Sequence, residues 1–386
     1  MVSCLNRGAG DPLSIPYVSG ILADTTSAVF GMLKDGCADG RNGTIAVIGQ
    51  EKDALSLTEW LMRCDCFDNV DGRVLPDSLP DFAGETFAVI SDNANAPYCG
   101  YPEKGNAGFL REVNVRNFLA AVDTVCASSQ FDGKQSVRKT ASKAVILASS
   151  YSSAFGYGDI CALTEASRSR VKVISPVHSM FRYAISRHGE SGTFAVWTTD
   201  EILGAGVFSG VWKDLAEEYP ALKYDAFCPK PGNSLRERLL SFLEMYRESG
   251  RQDRIDAVLV DDTPLTAEML NSALTSMRRS SDDGLAEYAG ILADGFEFID
   301  SGLPVAQECF RFLRQSNSFT HRVAYPASVR YSTEAVAGMA SQDYDRNGNF
   351  TDEFKYNRAE NSDFRTYMIV ENREDAYKDS EHYVSE

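Results

Sequence analysis

Residues 143–154, KAVILASSYSSA, constrain the fold of this chain more than any other stretch. The apolar run from Ala144 to Ala148 is short and bounded by polar residues. A run of that kind reads as a strand buried on both faces of a parallel sheet. It breaks into five consecutive hydroxyl side chains, Ser149, Ser150, Tyr151, Ser152 and Ser153. Ligands of open α/β sheets sit beyond the carboxyl ends of the strands, so these hydroxyls stand where a small polar ligand would find donors and acceptors. The same serines also suit a strand-to-helix turn that caps the next helix. A second stretch of this type, DAVLVDDTP, occupies residues 256–264. The chain reads as two α/β halves that bring these two strand ends together.

The rest of the pattern agrees. Strands are expected at 16–23, 44–49, 86–91, 171–174, 193–198, 224–228, 255–260 and 296–299, with a last edge strand at 323–325. Helices are expected at 29–34, 55–64, 112–126, 159–167, 178–188, 200–218, 233–247, 266–277 and 305–313. Such alternation means parallel sheets with both faces covered. The loop 94–108, rich in Gly, Pro and Asn, is long for a compact domain, which marks a functional or disordered segment. From residue 332 the chain turns polar and acidic. Asp343, Asp345, Asn347 and Gly348 begin like a calcium loop, but Phe354 stands where the bidentate Glu belongs. An Asp/Asn-rich turn is the preferred reading, and no metal is expected.

A chain of 386 residues is long enough for two domains. Its net charge of −17 argues against nucleic acid as a partner, because phosphate contacts need a basic surface. No apolar run is long enough to span a membrane. The nine cysteines are scattered, odd in number and without a C-x-x-C pair, which is poor spacing for zinc or for a disulfide framework. They read as reduced thiols of a cytoplasmic protein. One feature points elsewhere. Met1-Val2-Ser3-Cys4 resembles the end of a lipoprotein signal with Cys4 lipidated, a cell-envelope reading that requires an apolar leader upstream.

An ordered set of motifs resembles the aspartate/glutamate racemase superfamily, and glutamate racemase in particular. The segment from Asp92 through Ala96, Pro97, Tyr98 and Cys99 to Gly100 resembles that family's D-T-A-x-x-P-Y-G substrate loop, with Cys99 inserted. Residues 299–306, IDSGLPVA, resemble its late I-D-S-G-x-x-V-A segment. Asp24-Thr25 falls where the family has the Asp-Ser of its first strand end, and residues 173–176 resemble its domain crossover. The resemblance implies two flavodoxin-like parallel-sheet domains facing across a cleft. The first would be 16–177 plus 296–331, with an insertion around 37–84. The second would be 178–295, and 332–386 would be a C-terminal extension without counterpart.

The family's reaction needs a base on each face of the substrate Cα, and the resemblance implies that two cysteine thiols, without a cofactor, supply them. A thiol suits the task because its pKa lies near working pH. On this chain the two cysteine positions fall on Ser149 and Asp262. The implied substrate-binding residues are Asp24, Thr25, Pro97, Tyr98, Gly100, Ser150, Tyr151 and Thr263. With both thiols replaced, the chain reads as a pseudoenzyme that binds a small amino acid or dicarboxylate, with a homodimer as a further expectation. The alternatives are an active isomerase using Asp262, Ser149 or Cys99, and a two-domain solute-binding lipoprotein. Of the four histidines, His178 alone follows the crossover strand, where it either approaches the cleft or faces solvent at a helix start.

Overall fold

The computed structural model describes residues 15–36, 40–129, 131–280, 283–288, 290–322, 324–335, 343–346, 349–362 and 366–370. Cys4, Cys37, Asn347, Gly348 and His382, and with them the lipidation reading and the centre of the calcium-like turn, lie outside them. The described residues divide into two compact units, one running to Ser175 and again from Ala306, the other Pro176–Val305.

The first unit opens on a helix, Pro16–Ala23, where a strand was expected. A short apolar run cannot be told from a buried helix by periodicity alone. Here Pro16 stands in the first turn, where its missing N–H is no loss, and Val18 and Ile21, three apart, share the buried side. Strands β1 (Thr44–Gly49) and β2 (Thr86–Ser91) pair in parallel. An antiparallel hairpin follows, β3 (Val125–Ser129) and β4 (Asp132–Arg138). Then come β5 (Ser142–Leu147), buried throughout as its sequence implies, and β6 (Lys172–Ile174).

The second unit holds β7 (Thr193–Thr198), β8 (Lys223–Phe227), β9 (Ile255–Asp261) and β10 (Leu292–Ile299) in a four-stranded parallel sheet of order β10-β9-β7-β8. Because β10 pairs with β9, residues 296–305 belong to this unit and not to the first, as the motif order had implied. The expected helix 200–218 is two helices, Asp200–Gly204 and Val207–Glu218, parted at Gly206, whose φ of 69° is left-handed.

The helix Gly302–Gln315 carries the chain back into the first unit. The tail is not a polar appendage. β11 (Ala327–Ala335) pairs in parallel with β2, and β12 (Thr366–Val370) pairs antiparallel with β11. The first sheet thus has eight strands among the described residues, in the order β4-β3-β12-β11-β2-β1-β5-β6. The edge strand expected at 323–325 is replaced by this interior one. β1, which lies in the segment read as an insertion, is central: it sits between β2 and β5 with all six residues buried.

Each sheet is packed by its own helices. In the first unit, Ala46, Ile48, Val145 and Leu147 meet Val115, Phe118, Ile160 and Leu163. The helix Ala107–Val122 is buried nearly all round, so it also carries buried polar residues, Glu112, Asn114 and Asn117. Those must find hydrogen-bond partners inside the protein, and two of them do so at the strand ends described next. In the second unit Trp197, Phe227, Phe242 and Tyr246 form the aromatic centre.

Candidate functional site

Three strands of the first sheet end side by side. The Asp92 N–H donates to the Gly49 carbonyl at 2.8 Å, and the Ala148 N–H to the Ile48 carbonyl at 2.7 Å. A Cβ on Gly49 would lie 3.2 Å from the Ala148 Cβ and 3.3 Å from the Ser149 nitrogen. This close approach puts Gln50, Asp92 and Ser149 at one carboxyl edge, the place where ligands bind in open α/β sheets.

Ser149 is buried at the start of the short helix Ser150–Ala154, and its side chain makes no capping bond to that helix. Its hydroxyl acts on the carboxyl of Asp53, in the first turn of the helix Glu51–Arg63, and favours that carboxyl's ionised form. Gln50 Nε2 donates to Asp53 Oδ2 at 3.3 Å, and Gln50 Oε1 accepts the Tyr98 N–H at 3.1 Å. Burial raises the Asp53 pKa, and the bonds from Gln50 and Ser149 and the charge of Lys52 offset this only in part.

Behind this pair lies Asp92, which is fully buried. Tyr98 Oη donates to its Oδ2 at 2.8 Å, Asn117 Nδ2 to the same oxygen at 2.7 Å, and Asn95 Nδ2 to Oδ1 at 2.7 Å. Burial raises the Asp92 pKa in spite of these donors and of Arg358 nearby. Tyr98 therefore points inward as a structural residue. Pro97, Gly100 and Cys99 belong to the same loop, with Cys99 half-buried before the turn Gly100–Glu103. Ser150 and Tyr151 stand on the helix after Ser149. Ser152 donates to Asn114 Oδ1 at 2.7 Å, and Asn114 Nδ2 donates to the Phe155 carbonyl at 2.6 Å.

Other expected residues lie elsewhere. Asp24 and Thr25 are exposed, because the segment before them is a helix and not the first strand. Asp24 accepts the N–H and hydroxyl of Thr26, and that bonding holds its carboxyl below the usual range. Asp262 and Thr263 belong to the second unit, just past β9. Asp262 Oδ2 accepts Trp197 Nε1 at 2.9 Å and pairs with the Arg238 guanidinium, and Thr263 is exposed. Nearby Cys228 is a poor thiolate: burial, and then Asp200, push its pKa up to about 11. Asp300 of the I-D-S-G segment accepts the N–H groups of Ala267 and Gly302 as a double cap. His178 is buried in the helix Pro176–His188, not solvent-facing.

Sequence reasoning missed Gln50, Asp53 and the asparagines Asn95 and Asn117. The available signal was TIAVIG followed by Gln50: it is the first strand among the described residues, whereas the segment before Asp24 is a helix. Among the described residues no three metal-ligating side chains cluster, and no helix is long and apolar enough to cross a membrane.

No protein-family model matches the chain, and no curated protein does. Among solved structures it is similar to a glutamate racemase isoform from Bacillus anthracis, at 18% identity over 77% of this chain and 91% of that one, with a TM-score of 0.45. It is also similar to the glutamate racemase of Francisella tularensis subsp. tularensis, solved with D-glutamate, at 13% identity over 83% and 96% of the two chains, with a TM-score of 0.42. A third is unliganded arylmalonate decarboxylase, at 15% identity over 70% and 91%, with a TM-score of 0.32. The solved structures to which the chain is similar thus include members of the aspartate/glutamate racemase superfamily, the family its motifs resemble.

Proposed function

We propose that this racemase-like protein binds a small amino acid or carboxylate at the strand ends of its first unit, and that it lacks thiol-dependent racemase chemistry. One observation carries the reading. At the carboxyl end of β5, where the motif resemblance puts a catalytic thiol, stands a buried serine hydroxyl that acts on the Asp53 carboxyl. The groups around it, Ser150, Gln50 and the Tyr98 backbone, are hydrogen-bonding groups suited to fixing a polar ligand, with few of the features of a nucleophilic centre.

A second reading is favoured by the raised pKa of Asp53. Burial brings the carboxyl nearer to working pH, which is how enzymes prepare a general base. Asp53 with Ser149 would then move a proton on one face of a ligand. Cys99, half-buried on the same loop as Tyr98, is the alternative base.

The test is a thermal-shift screen of the full chain with D- and L-glutamate, D- and L-aspartate and small dicarboxylates. A ligand that binds only the native state raises stability by about 2.7 kcal/mol at a concentration one hundred times its Kd. A concentration-dependent rise in Tm is expected for at least one of these compounds, reduced in Ser149→Ala. No rise with any of them would overturn the binding reading.

A further inference from the structure

The C-terminal segment around the helix Asp352–Tyr356 is packed on the 92–106 loop. Lys355 Nζ donates to the Ala96 carbonyl at 2.6 Å, and Tyr356 Oη to the Pro97 carbonyl at 3.0 Å. Asn106 Nδ2 returns bonds to the carbonyls of Tyr356 and Arg358, at 2.8 and 2.9 Å. Arg358 is the centre of the contact. It is buried, with its guanidinium carbon 4.5 Å from the Phe109 ring centroid and 4.8 Å from that of Phe350. Its Nη2 donates to Asn95 Oδ1 at 2.6 Å and to Tyr101 Oη at 2.9 Å.

From Asn95 the bonds continue inward without a gap. Asn95 donates to Asp92, Tyr98 Oη donates to the other Asp92 oxygen, the Tyr98 N–H donates to Gln50, and Gln50 donates to Asp53. We infer that Arg358 is a positioning residue for the Ser149–Asp53 site: it fixes the 92–106 loop from the C-terminal segment, through a series of hydrogen bonds that ends on Asp53. The inference rests on reading that site as the functional one, but its test needs no ligand, so it can fail while ligand binding is found, and the reverse.

Contiguity alone does not prove coupling, so two readouts at the far end are needed. The first is amide exchange of Tyr98 in the full chain, compared among the natural protein, Arg358→Met and Asn95→Ala. Loss of a hydrogen bond to a charged group should speed Tyr98 exchange by about tenfold or more in both variants, with the β1 amides unchanged. The second uses Ser149→Cys, with the pH profile of iodoacetamide alkylation followed for that peptide alone by mass spectrometry. A carboxylate beside a thiol raises its pKa. Adding Arg358→Met should release Asp53 and move the profile to lower pH. Faster exchange with an unmoved profile would make Arg358 merely structural and overturn the proposal, as would unchanged exchange in a folded variant. Should Arg358→Met not fold, Asn95→Ala, which cuts the same series one link further in, decides by the same two readouts.

Discussion

The side-chain carbonyl of Gln50 accepts the backbone N–H of Tyr98 at 3.1 Å, and this bond joins the end of one strand to the loop that leaves its neighbour. It ties the conformation of the 92–106 loop to the orientation of the Gln50 amide, and thereby to Asp53. A loop of this length is mobile unless its backbone is bonded elsewhere. Here it is held from inside by Gln50 and Asp92 and from outside by the C-terminal segment. The chain thus uses its tail to order the loop that its motifs mark as functional.

Gly100 is a tight point of that contact. A Cβ placed there would lie 2.2 Å from the Tyr356 ring. Gly100→Ala should therefore destabilise the protein by roughly 1–3 kcal/mol, the usual cost of overpacking. In a Tyr356→Ala background the clash is gone, and the same substitution should cost far less. Urea unfolding of the four proteins measures the difference. Equal costs in both backgrounds would mean that the ring does not seat on the loop.

At the opposite end of the sheet Lys143 and Glu85 form an ion pair, 2.7 Å apart and with side chains 2% and 0% exposed. Lys143 Nζ also donates to the Ser318 carbonyl at 2.7 Å, and Glu85 Oε1 accepts the Thr320 N–H at 2.7 Å. Removing one partner of such a pair leaves a buried charge, so Lys143→Met should cost about 3–5 kcal/mol. Adding Glu85→Gln removes the stranded charge and keeps an acceptor for Thr320, and most of the loss should return. A double variant no more stable than Lys143→Met would show that the cost lies in packing rather than in charge.

Much of this fold was legible before any coordinates. β1, β2, β5, β7 and β9 are apolar runs bounded by turns, and each is a strand. What failed had physical causes. PYVSGILA is too short for its period to decide between helix and strand, and Pro16 with Val18 and Ile21 settles it as a helix. That one error displaced the first strand end from Gln50 to Asp24, and with it part of the site. The tail read as polar because β11 alternates, and its burial comes from pairing with β2 rather than from an apolar run. The role of Arg358 carried no local signal, since Asn95, Tyr101 and Phe109, the partners that tie it to the loop and to the helix after it, are more than 240 positions away in sequence.

The raised pKa of Asp53 makes a pH prediction with a definite sign. Burial favours the protonated form in the native state. Below the unfolded value of about 3.9 both states hold the proton and the group has no effect. As pH rises past that value the unfolded chain ionises first, so stability falls until the native carboxyl ionises as well, and then stays level. Asp53→Asn removes this penalty. The variant should match the natural protein at the acid end of the series and be the more stable one at neutral pH. A variant less stable at neutral pH would mean that the bonds from Gln50 and Ser149 outweigh the burial.

The chemistry of the site supplies the last prediction. Inverting an amino acid requires a base on each face of its Cα, and a well-placed general acid or base contributes roughly 10²–10⁴-fold in rate. Ser149 carries a hydroxyl and not a thiol. Asp262 is held by Arg238 and Trp197, and that carboxylate is already committed to two donors. Incubation with D- or L-glutamate in deuterated water should therefore give no inversion. If Asp53 acts as a base, deuterium will enter one enantiomer with retention, and Asp53→Asn will abolish it while Asp262→Asn leaves it in place. Loss of exchange on Asp262→Asn alone would move the base to the second unit. Inversion at ordinary enzymatic rates, roughly 1–10³ s⁻¹, would overturn the reading of a protein without thiol-dependent racemisation, and Cys99→Ser would then test whether Cys99 is the thiol responsible.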